Sequence, residues 1–203
     1  MATARGRVAA VLASHDRFLA DPGLAPHEGA RAGGAVRLVE FYDYQCAPCR
    51  LADPAIRAAV RRDRGLQAVM LPLPLFGAPS VLGARAAFAA SRQGRFDEVH
   101  HALMTGATPL ERAALIGLAR DLGLDAARFQ ADMDGPDFDR LLAGSRALAA
   151  DFGIDGVPAY LVGDLLVRDA LTPADLSRWV AAERCFARPP AAQSACVRRA
   201  GEL

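Results

Sequence analysis

The chain of 203 residues has no lysine, no asparagine and no long uninterrupted apolar run. Its 24 basic residues are therefore all arginines, and against 23 acidic residues they leave a formal net charge of +1. Such a balance creates no global field that would attract nucleic acid or an anionic membrane surface. Because a membrane-spanning helix needs about 20 apolar residues, we also predict no transmembrane helix.

Composition places the chain among ordinary globular proteins. Hydrophobic residues make up 52% and charged residues 23% of the sequence, which argues against a disordered chain. The length suits one domain with a sizeable core and an insertion. The first residues contain too short an apolar stretch for a signal peptide, although a signal can be removed from an exported protein.

The predicted elements follow the order strand, helix, strand, long helical block, hairpin and helix. Residues 36–44, VRLVEFYDY, have the β-branched and aromatic character of a strand buried on both faces. A turn at Gly163 and Asp164 predicts the hairpin. This order is that of an α/β thioredoxin-like fold, a central mixed sheet interrupted by a helical insertion.

We divide the domain into five segments. They are an N-terminal arm (1–35), a thioredoxin-like first half (36–77), the helical insertion (78–153), a second half (154–184) and a C-terminal tail (185–203). The arm carries a short helix over residues 7–20, whose apolar side can pack on the domain or on another subunit, so an oligomer formed through the arm stays open. Four apolar side chains near or in the insertion are assigned to the core: Leu73, Leu75, Phe76 and Phe88.

Cys46 and Cys49 lie where the first strand gives way to a helix, with Pro48 suited to a first helical position. The unpaired N–H groups and the positive end of a helix dipole favour thiolate over thiol. We therefore assign Cys46 as the nucleophile and Cys49, one turn further on, as the resolving cysteine.

Two other interpretations of this C-x-x-C pair are a zinc half-site and a purely structural disulfide. A zinc site would need Cys185 and Cys196 as further ligands, but these cysteines do not form the short knuckle usual in structural zinc sites. A ring as small as that of Cys46 and Cys49 constrains little of the unfolded chain. We expect no metal and no cofactor, since no nucleotide or flavin motif is present and the thiols themselves can carry the electrons.

Four stretches in this order resemble the DsbA-like thiol:disulfide oxidoreductases of bacteria, close to the ScsC-type branch. They are LVEFYDYQCAPCR, LPLPLFGAPSVLGARAAFAA, FDEVHHALM and GIDGVPAYLVGD, spread over residues 36–183. The resemblance implies unfolded or thiol-bearing protein substrates, a membrane redox partner, and a periplasmic or otherwise exported location. It also implies roles for individual residues.

Glu40 matches the buried acid of the family, which is thought to help move the proton of the second cysteine; an ion pair with an arginine is the alternative. Pro158 matches the cis-proline that faces the cysteine pair. With Val157 before it, this proline is expected to guide an extended substrate. In the segment that contains His100 and His101, at least one histidine is expected to be structural.

This chain departs from the strongly oxidising relatives because Ala47 and Pro48, without a histidine, separate the cysteines. We therefore expect the pKa of Cys46 to lie below that of a free thiol but to be less depressed than in DsbA. The direction of electron flow stays open. The alternatives are an isomerase or reductase kept reduced by a membrane partner, and a polypeptide-binding module without turnover.

The second cysteine pair, Cys185 and Cys196, is additional to the core motif. We predict a structural disulfide that pins the proline-rich tail to the last helix, and such a bond persists in an oxidising compartment. The alternative is a second redox relay.

Overall fold

The protein is described here by a computed structural model, which covers residues 4–29, 36–168 and 171–187 together with Gln193 and Cys196. This part of the chain contains five strands and nine helices. The strands are β1 (His27–Gly29), β2 (Val36–Tyr42), β3 (Leu66–Pro72), β4 (Ala159–Val162) and β5 (Leu165–Val167). The helices are α1 (Ala4–Ser14), α2 (Asp16–Ala20), α3 (Ala47–Arg62), α4 (Ala78–Ser91), α5 (Phe96–Met104), α6 (Arg112–Asp121), α7 (Ala126–Asp134), α8 (Pro136–Asp151) and α9 (Pro173–Phe186).

The five strands form one mixed sheet in the order β1-β3-β2-β4-β5. β2 and β3 are parallel, whereas the other neighbouring strands are antiparallel. α3 connects the two parallel strands, as a crossover between parallel strands requires. The predicted α/β thioredoxin-like sheet is confirmed, and so is the helical block between its two halves.

Two apolar clusters cover the two faces of the sheet. Leu38 and Tyr42 of β2 pack in one cluster with Ile56 of α3. Val39 and Phe41 pack in the other cluster, which also contains side chains of α8. Since successive side chains of a strand point to opposite faces, Glu40 lies on the α3 face of β2.

The loop between β3 and α4 corrects one prediction. Leu73 and Phe88 are buried as expected, but Leu75 and Phe76 are 46% and 54% exposed. Their backbone N–H groups are bound by the carboxylate of Asp43, which holds this loop at the surface. Hydrophobic character predicted burial here, but the anchoring of the backbone prevents it.

The N-terminal segment also differs from the prediction. One helix was expected over residues 7–20, but α1 and α2 are separate helices that meet at His15. β1 was not predicted, because its residues follow a breaker-rich stretch; it forms by antiparallel pairing with β3. Gly29 in this strand has φ +85°, and a Cβ there would lie 2.7 Å from the Leu66 carbonyl oxygen.

α1 packs on its own domain. Val8, Val11 and Leu12 contact the cluster on the α8 face of the sheet. Arg5 donates two hydrogen bonds, of 2.6 and 2.7 Å, to the carboxylate of Glu183 in α9. Of the two environments open to the arm, the structure shows the intramolecular one. In the described residues, no helix has the length and apolar character to cross a bilayer.

Candidate active site

Cys46 is the N-cap residue of α3, as the sequence predicts, and Pro48 lies in the first turn. The Cys49 backbone N–H donates to the Cys46 sulfur over 3.1 Å. The N–H of Cys46 itself donates to the Asp43 carbonyl oxygen over 3.1 Å. Cys46 Sγ is bonded to Cys49 Sγ in this structure. The sulfur of Cys46 therefore occupies the position in which a helix N-terminus stabilises an anion.

The loop before β4 lies against this sulfur. The Val157–Pro158 peptide bond is cis. The Val157 carbonyl oxygen is 3.5 Å from Cys46 Sγ, although 111 residues separate the two positions. Beside this contact is a cleft of about 300 Å³, lined by Pro48, Ile154, Asp155, Gly156, Val157, Pro158 and Arg168. The fold thus brings Cys46, Cys49, Val157 and Pro158 to one place.

Glu40 is almost completely buried, and its Oε1 has no hydrogen-bond partner in the described part of the structure. Burial raises the pKa of this carboxyl well above its usual value, and the negative charges of Asp53 and Glu28 raise it further. No arginine among the described residues forms an ion pair with Glu40. An uncharged carboxylic acid at this position can donate a proton near neutral pH.

Asp43 is a buried residue that the sequence reasoning did not assign to the site. One carboxylate oxygen accepts from the Gln45 N–H over 2.8 Å, and the other from the Leu75 N–H over 2.7 Å. The Gln45 side-chain amide donates to the Phe76 carbonyl oxygen over 2.9 Å. Asp43 and Gln45 thus hold the Leu75–Phe76 loop next to the turn that ends in Cys46. The available signal was an Asp three residues before the N-cap Cys46, a residue type whose side chain often binds the backbone N–H two residues further on.

Arg50, which follows Cys49, links the active-site helix to the insertion. Its Nε donates to the Met104 carbonyl oxygen at the end of α5 over 2.8 Å. Its guanidinium lies where a side chain on Gly106 would be, since a Cβ there would come within 1.8 Å of Nη2. Arg50 thus joins the N-terminal part of α3 to the insertion.

A buried polar cluster lies behind the cysteine pair, between α3, α5 and β2. His100 Nδ1 is 2.8 Å from the Tyr44 hydroxyl, which is 3.4 Å from the Tyr42 hydroxyl. His100 Nε2 is 3.2 Å from an oxygen of Asp53. The His100 ring stacks on Phe96, with 4.9 Å between centroids. His100 is fully buried in this packing, which suits a structural histidine.

The second cysteine pair lies at the C-terminal end of α9. Cys185, in the last turn of α9, is bonded to Cys196. In the structure all four cysteines are thus joined pairwise. Within the described residues, no group of three or more His, Cys, Asp or Glu side chains has the arrangement of a metal site.

A mixed sheet, a cysteine pair at the start of a helix and a proline loop against the first sulfur are the features of thioredoxin-like thiol–disulfide oxidoreductases. Residues 37–181 match the profile of the family described as DSBA-like thioredoxin domain. The match covers well over half of the chain, and the chain belongs to this family.

Two solved structures agree with this assignment. A thioredoxin-like oxidoreductase from Silicibacter pomeroyi DSS-3 is 34% identical, with a TM-score of 0.76 over 86% of this chain and 98% of that chain. The catalytic domain of Proteus mirabilis ScsC is 24% identical, with a TM-score of 0.73 over 89% of this chain and 99% of that chain. The second likeness shows a shared fold.

Curated relatives are much longer than this chain. A Na(+)/H(+) antiporter NhaA of Herminiimonas arsenicoxydans is 36% identical over 128 residues, which are 62% of this chain and 20% of the antiporter. The chain thus spans about a fifth of the length of the curated relatives that it matches.

Proposed function

We propose that the protein exchanges disulfides with cysteine-bearing polypeptides through a mixed disulfide at Cys46, which Cys49 resolves. The observation that carries this proposal is the place of the Cys46 sulfur, at the N-cap of α3 and 3.5 Å from the Val157 carbonyl oxygen. At this place the sulfur accepts a hydrogen bond from the Cys49 backbone N–H. The same donor would stabilise a Cys46 thiolate as a leaving group.

In the oxidising direction, a substrate thiolate attacks Cys46 Sγ. A bond forms between the substrate sulfur and Cys46, and the Cys46–Cys49 bond breaks with its electron pair on Cys49. Glu40, buried and protonated, supplies the proton that neutralises this thiolate. A second substrate thiolate then attacks the substrate sulfur of the mixed disulfide and releases Cys46 as a thiolate. The substrate loses two electrons and the cysteine pair gains them.

The Val157–Pro158 loop supports an extended polypeptide as the substrate. The cleft of about 300 Å³ that it lines opens beside Cys46, and backbone groups in such a loop can pair with an extended chain. Leu51, 81% exposed, lies two residues after Cys49 and offers apolar surface near the site, as do Leu75 and Phe76. Exposed apolar side chains of this kind suit unfolded proteins.

We further propose that the protein works in the periplasm or another exported compartment and exchanges electrons with a membrane redox partner. The Cys185–Cys196 disulfide supports this location, because such bonds persist in oxidising compartments. The direction of electron flow follows from the reduction potential of the Cys46–Cys49 pair. A value near −270 mV, as in thioredoxin, favours a reductant or isomerase, whereas one near −120 mV, as in DsbA, favours an oxidant.

Trapping tests the mechanism. In the reduced Cys49→Ser variant, the Cys46 thiolate should attack disulfide-containing substrate proteins and hold them as mixed disulfides that survive denaturing electrophoresis without reductant. The matched Cys46→Ser variant should trap none. If mass spectrometry finds no substrate bonded to Cys46 in the Cys49→Ser variant, the proposed mechanism is wrong.

A further inference from the structure

The mechanism above uses Glu40 but leaves two neighbouring titratable groups without a role. Asp53 and His100 are buried, with side-chain exposures of 4% and 0%. Asp53 follows Cys49 by four residues in α3, so the two side chains lie on one face of the helix, with roughly 5–6 Å between their Cβ atoms. A carboxylate in the interior next to a redox sulfur costs free energy to bury unless it is well partnered.

The buried carboxylate of Asp53 lies between an enclosed histidine and an exposed one. Its Oδ1 is 3.2 Å from His100 Nε2, a contact that is not aligned as a hydrogen bond. Its Oδ2 is 3.8 Å from Nδ1 of His101, whose side chain is 53% exposed. His101 is thus the solvent-facing member of a set whose other members are enclosed. Two adjacent histidines of α5 contact the two oxygens of one buried acid.

Glu40 gives up and regains a proton in every cycle. Once it has given its proton to the Cys49 thiolate, it is a buried carboxylate with no described partner for Oε1 and almost no contact with water. It regains a proton before the next turnover, either from Cys49 when the disulfide re-forms or from solvent. The negative charge of Asp53 is close enough to raise the pKa of Glu40. Asp53 lies in α3, the helix that packs on the face of β2 to which Glu40 points.

We propose that His101 and Asp53 form the route by which protons pass between solvent and Glu40, with His100 holding the Asp53 carboxylate in place. This inference rests on the proposed function. His101 and Asp53 act through Glu40, because they pass protons to and from its carboxyl group. They are not in contact with the reacting sulfurs. Histidine is suited to the solvent end, because its ordinary pKa lies close to neutral pH.

Other charged groups lie near the route. Burial raises the pKa of Glu28 in β1, and Asp97 of α5 and Arg57 of α3 act on the same carboxyl. The Tyr44 hydroxyl is hydrogen-bonded to His100. Glu28, Arg57, Phe96 and Asp97 help to line a second cleft, of about 440 Å³. Glu28 is therefore the competing exit for the proton. His101 differs from Glu28 in that its side chain is largely exposed.

The test is the turnover of dithiol-peptide oxidation by the 203-residue chain in dilute buffer between pH 6 and 8. Excess glutathione disulfide serves as the oxidant that restores the Cys46–Cys49 bond after each turnover. His101→Ala should reduce turnover by about tenfold at the upper end of this range, since proton transfers of this kind contribute 10²-fold or more when direct. Added imidazole should restore the rate. His15→Ala, which removes a histidine paired with Asp151 elsewhere, should leave turnover and its imidazole response unchanged.

Asp53→Asn provides the second readout. It should slow turnover like His101→Ala, but imidazole should not restore the rate, because the missing step is buried. The proposed route is wrong if the His101→Ala variant turns over at the wild-type rate in dilute buffer. It is also wrong if turnover falls in a Glu28→Gln variant instead. If wild-type protein itself shows no turnover, the proposed function fails and not the route.

Discussion

The two disulfides of this protein lie at opposite ends of helices. Cys46 caps the N-terminus of α3, where free N–H groups and the positive end of the dipole face its sulfur. Cys185 lies in the last turn of α9, at the end that carries free carbonyl groups. Both cysteines are buried, with exposures of 2% and 3%. The two cysteines therefore differ in the helix end at which they lie and not in their burial.

The surroundings of the two pairs reinforce this contrast. A proline loop and a cleft lie beside Cys46, so a second chain can approach it. Around Cys185 are intramolecular contacts of the arm. Arg5 binds Glu183 and places its guanidinium 3.9 Å from the centre of the Phe186 ring. We therefore expect the first pair to exchange disulfides and the second to be structural.

The largest difference should appear in activity. Cys46→Ser should lower the rate of disulfide exchange to that of the uncatalysed reaction, because the attacked sulfur is missing. A double Cys185→Ser, Cys196→Ser variant should keep the wild-type rate. Insulin reduction and peptide oxidation measure both. If the double variant loses turnover but keeps its stability, the second pair is a redox relay and the contrast drawn here is wrong.

The next largest effect concerns stability. Removing the Cys185–Cys196 bond, which spans a sequence separation of 11 residues, should lower the free energy of unfolding by about 3 kcal/mol, the chain-entropy value for a loop of this size. Denaturant unfolding of the double variant measures the change. Reducing only the Cys46–Cys49 bond opens a much smaller ring and serves as the comparison. A larger loss of stability there would contradict the assignment.

Glu40→Gln tests the acid behind the exchanging pair through its pH dependence. The folded-state pKa of Glu40 is raised above its ordinary value of 4.5, so the native protein binds more protons than the unfolded chain above that pH. Wild-type stability should therefore fall as pH rises from this value towards the folded pKa. Glu40→Gln should remove that fall, which amounts to about 1.4 kcal/mol for each unit of raised pKa.

Denaturant unfolding at several pH values measures this effect. The exposed Glu111→Gln variant is the control and should follow the wild-type curve. Glu28, whose pKa burial also raises, should leave part of the pH dependence in the Glu40→Gln protein. A Glu40→Gln variant that loses stability relative to wild type as pH rises would contradict the raised pKa.

The smallest expected effect is a shift in thiol reactivity between the two helix ends. In Cys49→Ser, the rate of alkylation of Cys46 should reach half its maximum at a pH at least about one unit below that for Cys185 in Cys196→Ser. One unit is about tenfold in thiolate fraction at a pH below both values. Equal midpoints would mean that the N-cap position does not activate Cys46.

Signals carried by neighbouring residues gave the correct local structure. Pro48 and the end of a β-rich run predicted the helix start at Cys46, and Gly163 with Asp164 predicted the turn between β4 and β5. Glycine adopts φ +54° at this turn without steric cost. In contrast, β1 has no strand pattern of its own and exists because β3 offers it an edge. Leu75 and Phe76 were misplaced for a similar reason, since a distant carboxylate holds their backbone.

The sequence by itself determined the class of fold, the C-x-x-C pair and the helix end at which it lies, because these depend on residues adjacent in the chain. The resemblance also implied that Pro158 faces the cysteine pair, and the structure gives the distance of 3.5 Å from the Val157 carbonyl oxygen to Cys46. The tertiary structure alone decided that Arg50 binds Met104 and that Asp53 lies between two histidines of another helix. The contact of Val157 with Cys46 joins residues 111 positions apart, and that of Arg50 with Met104 joins residues 54 positions apart. The contacts of Asp53 join α3 to α5. Their partners are chosen by how the sheet and insertion pack, which no local pattern encodes.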